Sequence, residues 1–304
     1  KPRQAGQIPI GFAVGEWEAT RGLSIKSLPA TPADGYAMRM PLPADYHMHT
    51  PLCRHAKGEP TEFAARAIEV GLTEIGFSDH SPMREDDFDD WRMRTSELTE
   101  YASKVDRARL DHPTLPIRFG LEVDFLPGQE PWIREMANLH DWDYFIGSVH
   151  YVGDWAIDDP ATLNQWRDRD TMEVWTNYFK NLTEAAAAGL FQIIGHADLP
   201  KKFGFVPEDD CVPLYRNFLT ACADTETCIE LNTAGLRKDC AEIYPHPDIL
   251  KMSHLLGVQI TFGSDAHAPK EVGMDLNRAV TLARECGYEE CCRFEKRKKS
   301  VIAI

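Results

Sequence analysis

The chain has 304 residues, 43% of them hydrophobic, which is enough for one large core or two small ones. Its 33 Lys and Arg stand against 48 Asp and Glu, a formal charge of -15. That balance argues against general nucleic-acid binding, which relies on cations that displace counterions, and its plainest reading is a solvated acidic surface.

Residues 1–40 are rich in Gly, Pro, Ala and Thr and carry little periodicity. They read as an N-terminal extension of unknown role, or as upstream sequence that a different start site would omit, ahead of one domain over 41–304. No secretory apolar core opens the chain, and no apolar run approaches membrane-spanning length, so the expected location is cytoplasmic, away from a membrane. From Asp45 onward one unit recurs: a short apolar run ends in a polar residue, and a helical pattern follows. The runs are ADYHMHT, TEIGFSDH, IRFGLEVDF, DYFIGSVH, FQIIGHAD, CIELNT and VQITFGSDAH. TEFAARAIEVG is the best-marked helix, with Thr61 as its expected cap, an apolar stripe of Phe63, Ala64, Ala67 and Ile68, and Gly71 as its end. Further helices are expected near 95–110, 131–140, 166–189, 213–225, 246–256 and 275–287. About seven strand–helix alternations imply parallel strands joined by crossover helices. A closed α/β barrel is favoured over an open sheet, because polar residues end nearly every strand, and in barrels those ends converge.

Of eleven histidines, seven sit in or just after a strand end. His47 and His49 form a His-x-His on the first strand, where alternation gives both side chains the same face. His55 follows in the next loop. His80 ends the second strand, His150 the fourth and His196 the fifth, and His267 follows the last. Glu122 and Asp265 share this placement. One such histidine would ordinarily be a structural core residue. Seven unpartnered imidazoles would cost roughly 1–3 kcal/mol each, a cost that metal ligation removes. Nine ligands with one bridging carboxylate suit three divalent ions. Imidazole with carboxylate suits zinc, iron, manganese or cobalt rather than calcium or magnesium. The eight cysteines form no CxxC pair and read as reduced thiols, with Cys291-Cys292 placed on a helix surface. His112, His140, His246 and His254 are left outside the site. Neighbouring divalent ions suit hydrolysis of a phosphate ester, because they acidify water and offset charge that develops on phosphoryl oxygens. The same ions also serve amide or C–O hydrolysis.

DYHMHTPLCRHA, GFSDHSPM, GLEVDF, GSVHY, GHADL, ELNTAGLRK and GSDAH resemble the motif series of the polymerase-and-histidinol-phosphatase (PHP) superfamily, from about residue 44 to the C-terminus. SPMREDDFDDWRM, ELNTAGLRKDCAEIYPHP and RFEKRKK are similar to its histidinol-phosphate phosphatase branch. The resemblance implies a distorted (β/α)7 TIM-like barrel with parallel strands. It implies one ion on His47, His49, Glu122 and Asp265. A second would be shared through Glu122 with His150 and His196, and a third held by His55, His80 and His267. Zinc, iron or manganese would be the metals. The activity implied is hydrolysis of L-histidinol phosphate, a small-molecule ester, in histidine biosynthesis. Two alternatives stand beside it: a phosphoesterase of the same superfamily acting on nucleotides or oligonucleotide ends, and a non-catalytic metal-binding module. Arg92, Lys201, Lys202 and Arg237 are candidate phosphate-binding cations, each weighed against an ordinary salt bridge. The acidic stretch Glu85 to Asp90 would attract a cationic substrate, or is simply a solvated loop.

Overall fold

The computed structural model describes residues 42–304, so the expected extension over 1–40 lies outside the described residues. Six of the seven expected runs form one parallel sheet. Its strands are β1 (Ile75–His80), β2 (Ile117–Asp124), β3 (Tyr144–Ser148), β6 (Ile193–Ile194), β7 (Cys228–Asn232) and β8 (Ile260–Gly263), and they lie side by side in that order. The first run, ADYHMHT, is extended but irregular, with isolated parallel bridges at Leu42, Asp45 and Met48. It bonds both open edges of the sheet. Toward β1, Gly76 N–H donates to Asp45 O at 2.8 Å and Ser78 N–H to Met48 O at 2.9 Å. Toward β8, Tyr46 N–H donates to Phe262 O at 3.1 Å and His49 N–H to Ala266 O at 2.9 Å. The curled sheet thereby becomes a distorted barrel of seven staves, and no backbone edge is left open between β8 and β1.

Helices α1 (Pro60–Val70), α2 (Leu98–Asp111), α3 (Glu130–Met136), α4 (Asn164–Arg167), α5 (Thr171–Ala187), α6 (Val212–Asp224), α7 (Pro247–Leu255) and α8 (Leu276–Glu285) fill the connections near the expected positions. Helix α1 begins earlier than its expected cap. Pro60 takes the first turn, where its missing N–H costs nothing, and Glu62 Oε2 accepts the Glu59 N–H at 2.7 Å. Thr61 instead bonds Asp111 and His112 at the end of α2. Gly71 ends α1 at φ 83°, as expected, but Ile68 flanks the stripe and is 49% exposed.

The barrel interior is narrow and aromatic. Tyr46, Tyr144, Ile146, Ile193, Cys228, Cys292 and Phe294 form one buried cluster. Glycine is required where Tyr144 crosses the barrel, since a Cβ on Gly120 would stand 2.7 Å from its ring. Two elements were not expected. The hairpin β4 (Tyr151–Val152) and β5 (Trp155–Ala156) extends the loop after His150. The hairpin β9 (Glu290–Glu295) and β10 (Lys298–Ala303) closes the N-terminal mouth. Its Lys296 and Arg297 amides bind Asp143 just before β3, and Arg297 and Lys299 reach Leu190 O and Glu226 O just before β6 and β7. Cys291 and Cys292 are therefore not helix-surface residues; both are buried in β9.

Candidate metal centre

The parallel register levels the strand ends. His80 stands opposite Glu122 across β1 and β2, and Asp124 opposite Ser148 across β2 and β3. All nine residues singled out in the sequence converge at this C-terminal mouth, as alternation along parallel staves requires. Glu122 is the hub. Its Oε2 lies 2.9 Å from His80 Nδ1, 3.2 Å from His47 Nε2 and 3.6 Å from His49 Nε2. Its Oε1 lies 2.9 Å from His196 Nε2 and 3.5 Å from His150 Nε2, and accepts the Ser148 hydroxyl at 2.6 Å. Asp265 follows β8 at φ 52°, a left-handed turn that Asp tolerates, and its Oδ1 lies 3.3 Å from His49 Nε2. His267 Nε2 and His55 Nε2 face each other at 2.9 Å.

In three of the rings the outward nitrogen is held by an acceptor. His150 Nδ1 lies 2.8 Å from Asp124, His55 Nδ1 2.7 Å from Cys53 O and His267 Nδ1 3.1 Å from Asp265 O. By contrast His47 Nε2, His49 Nε2, His80 Nδ1 and His196 Nδ1 are buried without a hydrogen bond. Each such atom costs about 1–3 kcal/mol unless something accepts its lone pair. Clustered nitrogen lone pairs and carboxylates are the donor set of a borderline transition metal, so the residues fit such an ion. Candidate ligand triads include His47–His49–Glu122, His80–Glu122–His150 and His49–His80–His267.

The electrostatics point the same way. Burial lowers the His47 basicity, but Glu230, Glu122 and Asp265 outweigh it and hold the ring well above the ordinary value. His150 is likewise pushed up to about 9, burial being outweighed by Asp124 and Glu122. His80 and His267 are driven well below the ordinary value, by burial and then by the neighbouring His49. Glu122, although buried, is held well below the usual carboxylate range by His47, His80 and His150. Opposite shifts among neighbouring rings follow from crowding imidazoles and carboxylates together, and a cation bound there would require each ring to be deprotonated at the nitrogen that faces it.

Of the four candidate cations, Lys202 lines the cavity of about 230 Å³ above the centre, where its Nζ donates to Asp158 at 2.9 Å. Lys201 is buried against Asp198, Glu242 and Ile243 O. Arg92 is buried and bridges Asp89 and Asp124. Arg237 caps Ser264 O at 2.8 Å beside the site. In the acidic stretch, Asp89 is taken up by Arg92 and the Tyr151 hydroxyl.

Several participants escaped sequence reasoning, Asp124 behind His150 among them. Lys238 and Asp158 line the cavity. Trp91 stands edge-on to His80, with ring centroids 4.6 Å apart. Cys53, read as incidental, is buried with its thiol beside His49, His55 and His267. Burial would raise that thiol, but hydrogen bonds from His49 and His55 pull it below its ordinary value. Its one available signal was its place inside PLCRHA, between two ligand histidines.

The family model described as PHP domain matches residues 45–234. A protein of Deinococcus radiodurans named a probable histidinol-phosphatase is 41% identical over 244 residues, covering 80% of this chain and 93% of its own. A histidinol-phosphatase of Lactococcus lactis is 25% identical over 275 residues, covering 84% of this chain and 98% of its own. A crystal structure of the lactococcal histidinol phosphate phosphatase, complexed with zinc, L-histidinol and phosphate, superposes with a TM-score of 0.74 at 23% identity over 84% of this chain and 98% of that one. The convergence of nine ligand-type side chains on one barrel mouth, the matched domain and the 41% identical relative together place the chain in the PHP-domain family, in its histidinol-phosphatase branch.

Proposed function

We propose that the chain hydrolyses L-histidinol phosphate to L-histidinol and phosphate at a centre of three divalent metal ions. The observation that carries this reading is Glu122, with five imidazoles within 3.6 Å of its two oxygens, in a chain whose relatives bear the name of that activity. His47, His49, Glu122 and Asp265 would hold one ion. Glu122 would be shared with a second on His150 and His196, and His55, His80 and His267 would hold the third. Zinc is the first metal to test, because the lactococcal structure contains it; iron and manganese suit the same donors. When bound, such ions lower the pKa of water toward neutrality and neutralise phosphoryl oxygens.

The chain's own residues supply the rest. Glu122 sets the spacing of the ligand groups. Lys202, which lines the cavity and is balanced by Asp158, is placed to bind a phosphoryl oxygen and the cationic end of the substrate between them. Lys238 adds a second cation at the rim. Arg92 and Lys201 are positioned as structural cations, since each already bridges two carboxylates.

The test is phosphate release from L-histidinol phosphate by purified protein, before and after chelation, with zinc, manganese or iron restored. An aryl phosphate and a short oligonucleotide serve as controls. Release from histidinol phosphate far above both, lost on chelation and restored by metal, is expected. Release from the oligonucleotide alone would keep the centre and overturn the substrate. His80→Ala and Asp265→Ala should each lower turnover by at least about 100-fold while the circular dichroism spectrum is retained. A fully active His80→Ala protein would overturn the three-ion assignment.

A further inference from the structure

Glu230 lies on β7, beneath the ligand layer, and is 1% exposed. It belongs to none of the nine positions above, yet it touches two of them from behind and reaches a third through Asn232. Its Oε1 is 2.7 Å from His47 Nδ1. Its Oε2 accepts the backbone N–H of His196 at 3.0 Å and the Asn232 side-chain amide at 3.1 Å. That amide is also 3.4 Å from Asp265 Oδ2. The barrel is hollowed for this carboxylate: a Cβ on Gly263 would overlap Glu230 Oε1 and stand 2.7 Å from His47 Cβ. Staves from four parts of the chain are thus referred to one buried group.

We propose that Glu230 is a positioning residue that fixes the tautomer of His47. The inference rests on the metal centre proposed above. With Oε2 occupied by two donors, Oε1 is the acceptor left for His47, so the ring proton must sit on Nδ1. The lone pair is then on Nε2, the buried atom without a hydrogen bond that faces Glu122. The same carboxylate ties the backbone of His196 and, through Asn232, the Asp265 carboxylate to that orientation, so ligands on different staves keep a common geometry.

Glu230→Gln separates this role from simple space filling. The two donors at the Oε2 position claim the amide oxygen, which turns the NH2 group toward His47 Nδ1. His47 must then accept there and carry its proton on Nε2, where the cation belongs. The variant keeps shape and burial but inverts the tautomer. Zinc titration by calorimetry, with the chelated protein as starting material, should show one class of site weakened about 10- to 100-fold in Glu230→Gln. Glu230→Asp keeps an acceptor and should recover part of the loss. In the zinc-loaded wild type, long-range 1H–15N NMR should find the His47 proton on Nδ1. A proton on Nε2 there would overturn the proposal even if neither variant folds. A wild type that takes up zinc and a Glu230→Gln that takes it up equally well overturn the positioning role alone. A wild type that takes up no zinc overturns the metal reading beneath it.

Discussion

At the scale of single residues, the centre divides into side chains that face the cavity and side chains that aim them. His150 shows the division. Its Nε2 faces Glu122, and its Nδ1 is held by Asp124, which Arg92 anchors in turn. In metal-free protein Asp124 stabilises the charged imidazolium, whose pKa is raised from about 6.5 to about 9. A raised folded-state value means the stabilisation is fully present below pH 6.5 and is lost as pH climbs through 9. Asp124→Asn should therefore destabilise chelated protein at pH 6, by on the order of 3 kcal/mol, and the deficit should shrink by about that much at pH 10. Urea denaturation at the two pH values checks it, and an equal deficit at both would assign Asp124 a purely packing role. The cavity-facing histidines could be read from the sequence because imidazoles at the ends of apolar runs have few structural uses. Asp124, Glu230 and Cys53 could not be assigned that way. Each partners a residue brought near by folding, and a lone Asp, Glu or Cys in a strand or loop carries no mark of its partner.

At the scale of elements, the alternation of runs and helices located six sheet strands and the helices, because buried parallel strands are continuous apolar stretches. It failed at the two hairpins. In β9 the adjacent Cys291 and Cys292 are both buried, which breaks the period of two, and β10 (KKSVIA) begins with two lysines. The hairpin nevertheless completes the core. Phe294 is 1% exposed, with its ring centroid 5.5 Å from that of Tyr46, at the end of the barrel away from the metal centre. Phe294→Ala should cost about 3–5 kcal/mol of stability. Zinc stoichiometry in the folded fraction should stay unchanged, as thermal melts with parallel metal analysis would report. Loss of bound zinc at low temperature would show that the two ends of the barrel are coupled.

At the scale of the whole molecule, nine ligand-type residues crowd one mouth of the barrel, so on the metal centre proposed above the folded state is expected to lean on bound ions. Chelation should lower the melting temperature and zinc should restore it. The gain is on the order of 3 kcal/mol for each site held at a hundredfold excess over its Kd. A melting curve indifferent to chelator would count against metal as a structural partner of the fold. Among the described residues no helix is long and apolar enough to cross a membrane.

The stave that carries His47 and His49 has a consequence for the order of assembly. It leaves the ribosome ahead of the six strands of the sheet, yet one of its two flanking partners, β8, is the last of them to be synthesised. Until then His47 and His49 lack both Asp265 and the backbone of Ala266. On the metal centre proposed above, a growing chain would hold an incomplete set of ligands for nearly its entire synthesis, and the full complement of ions would be captured only at ring closure.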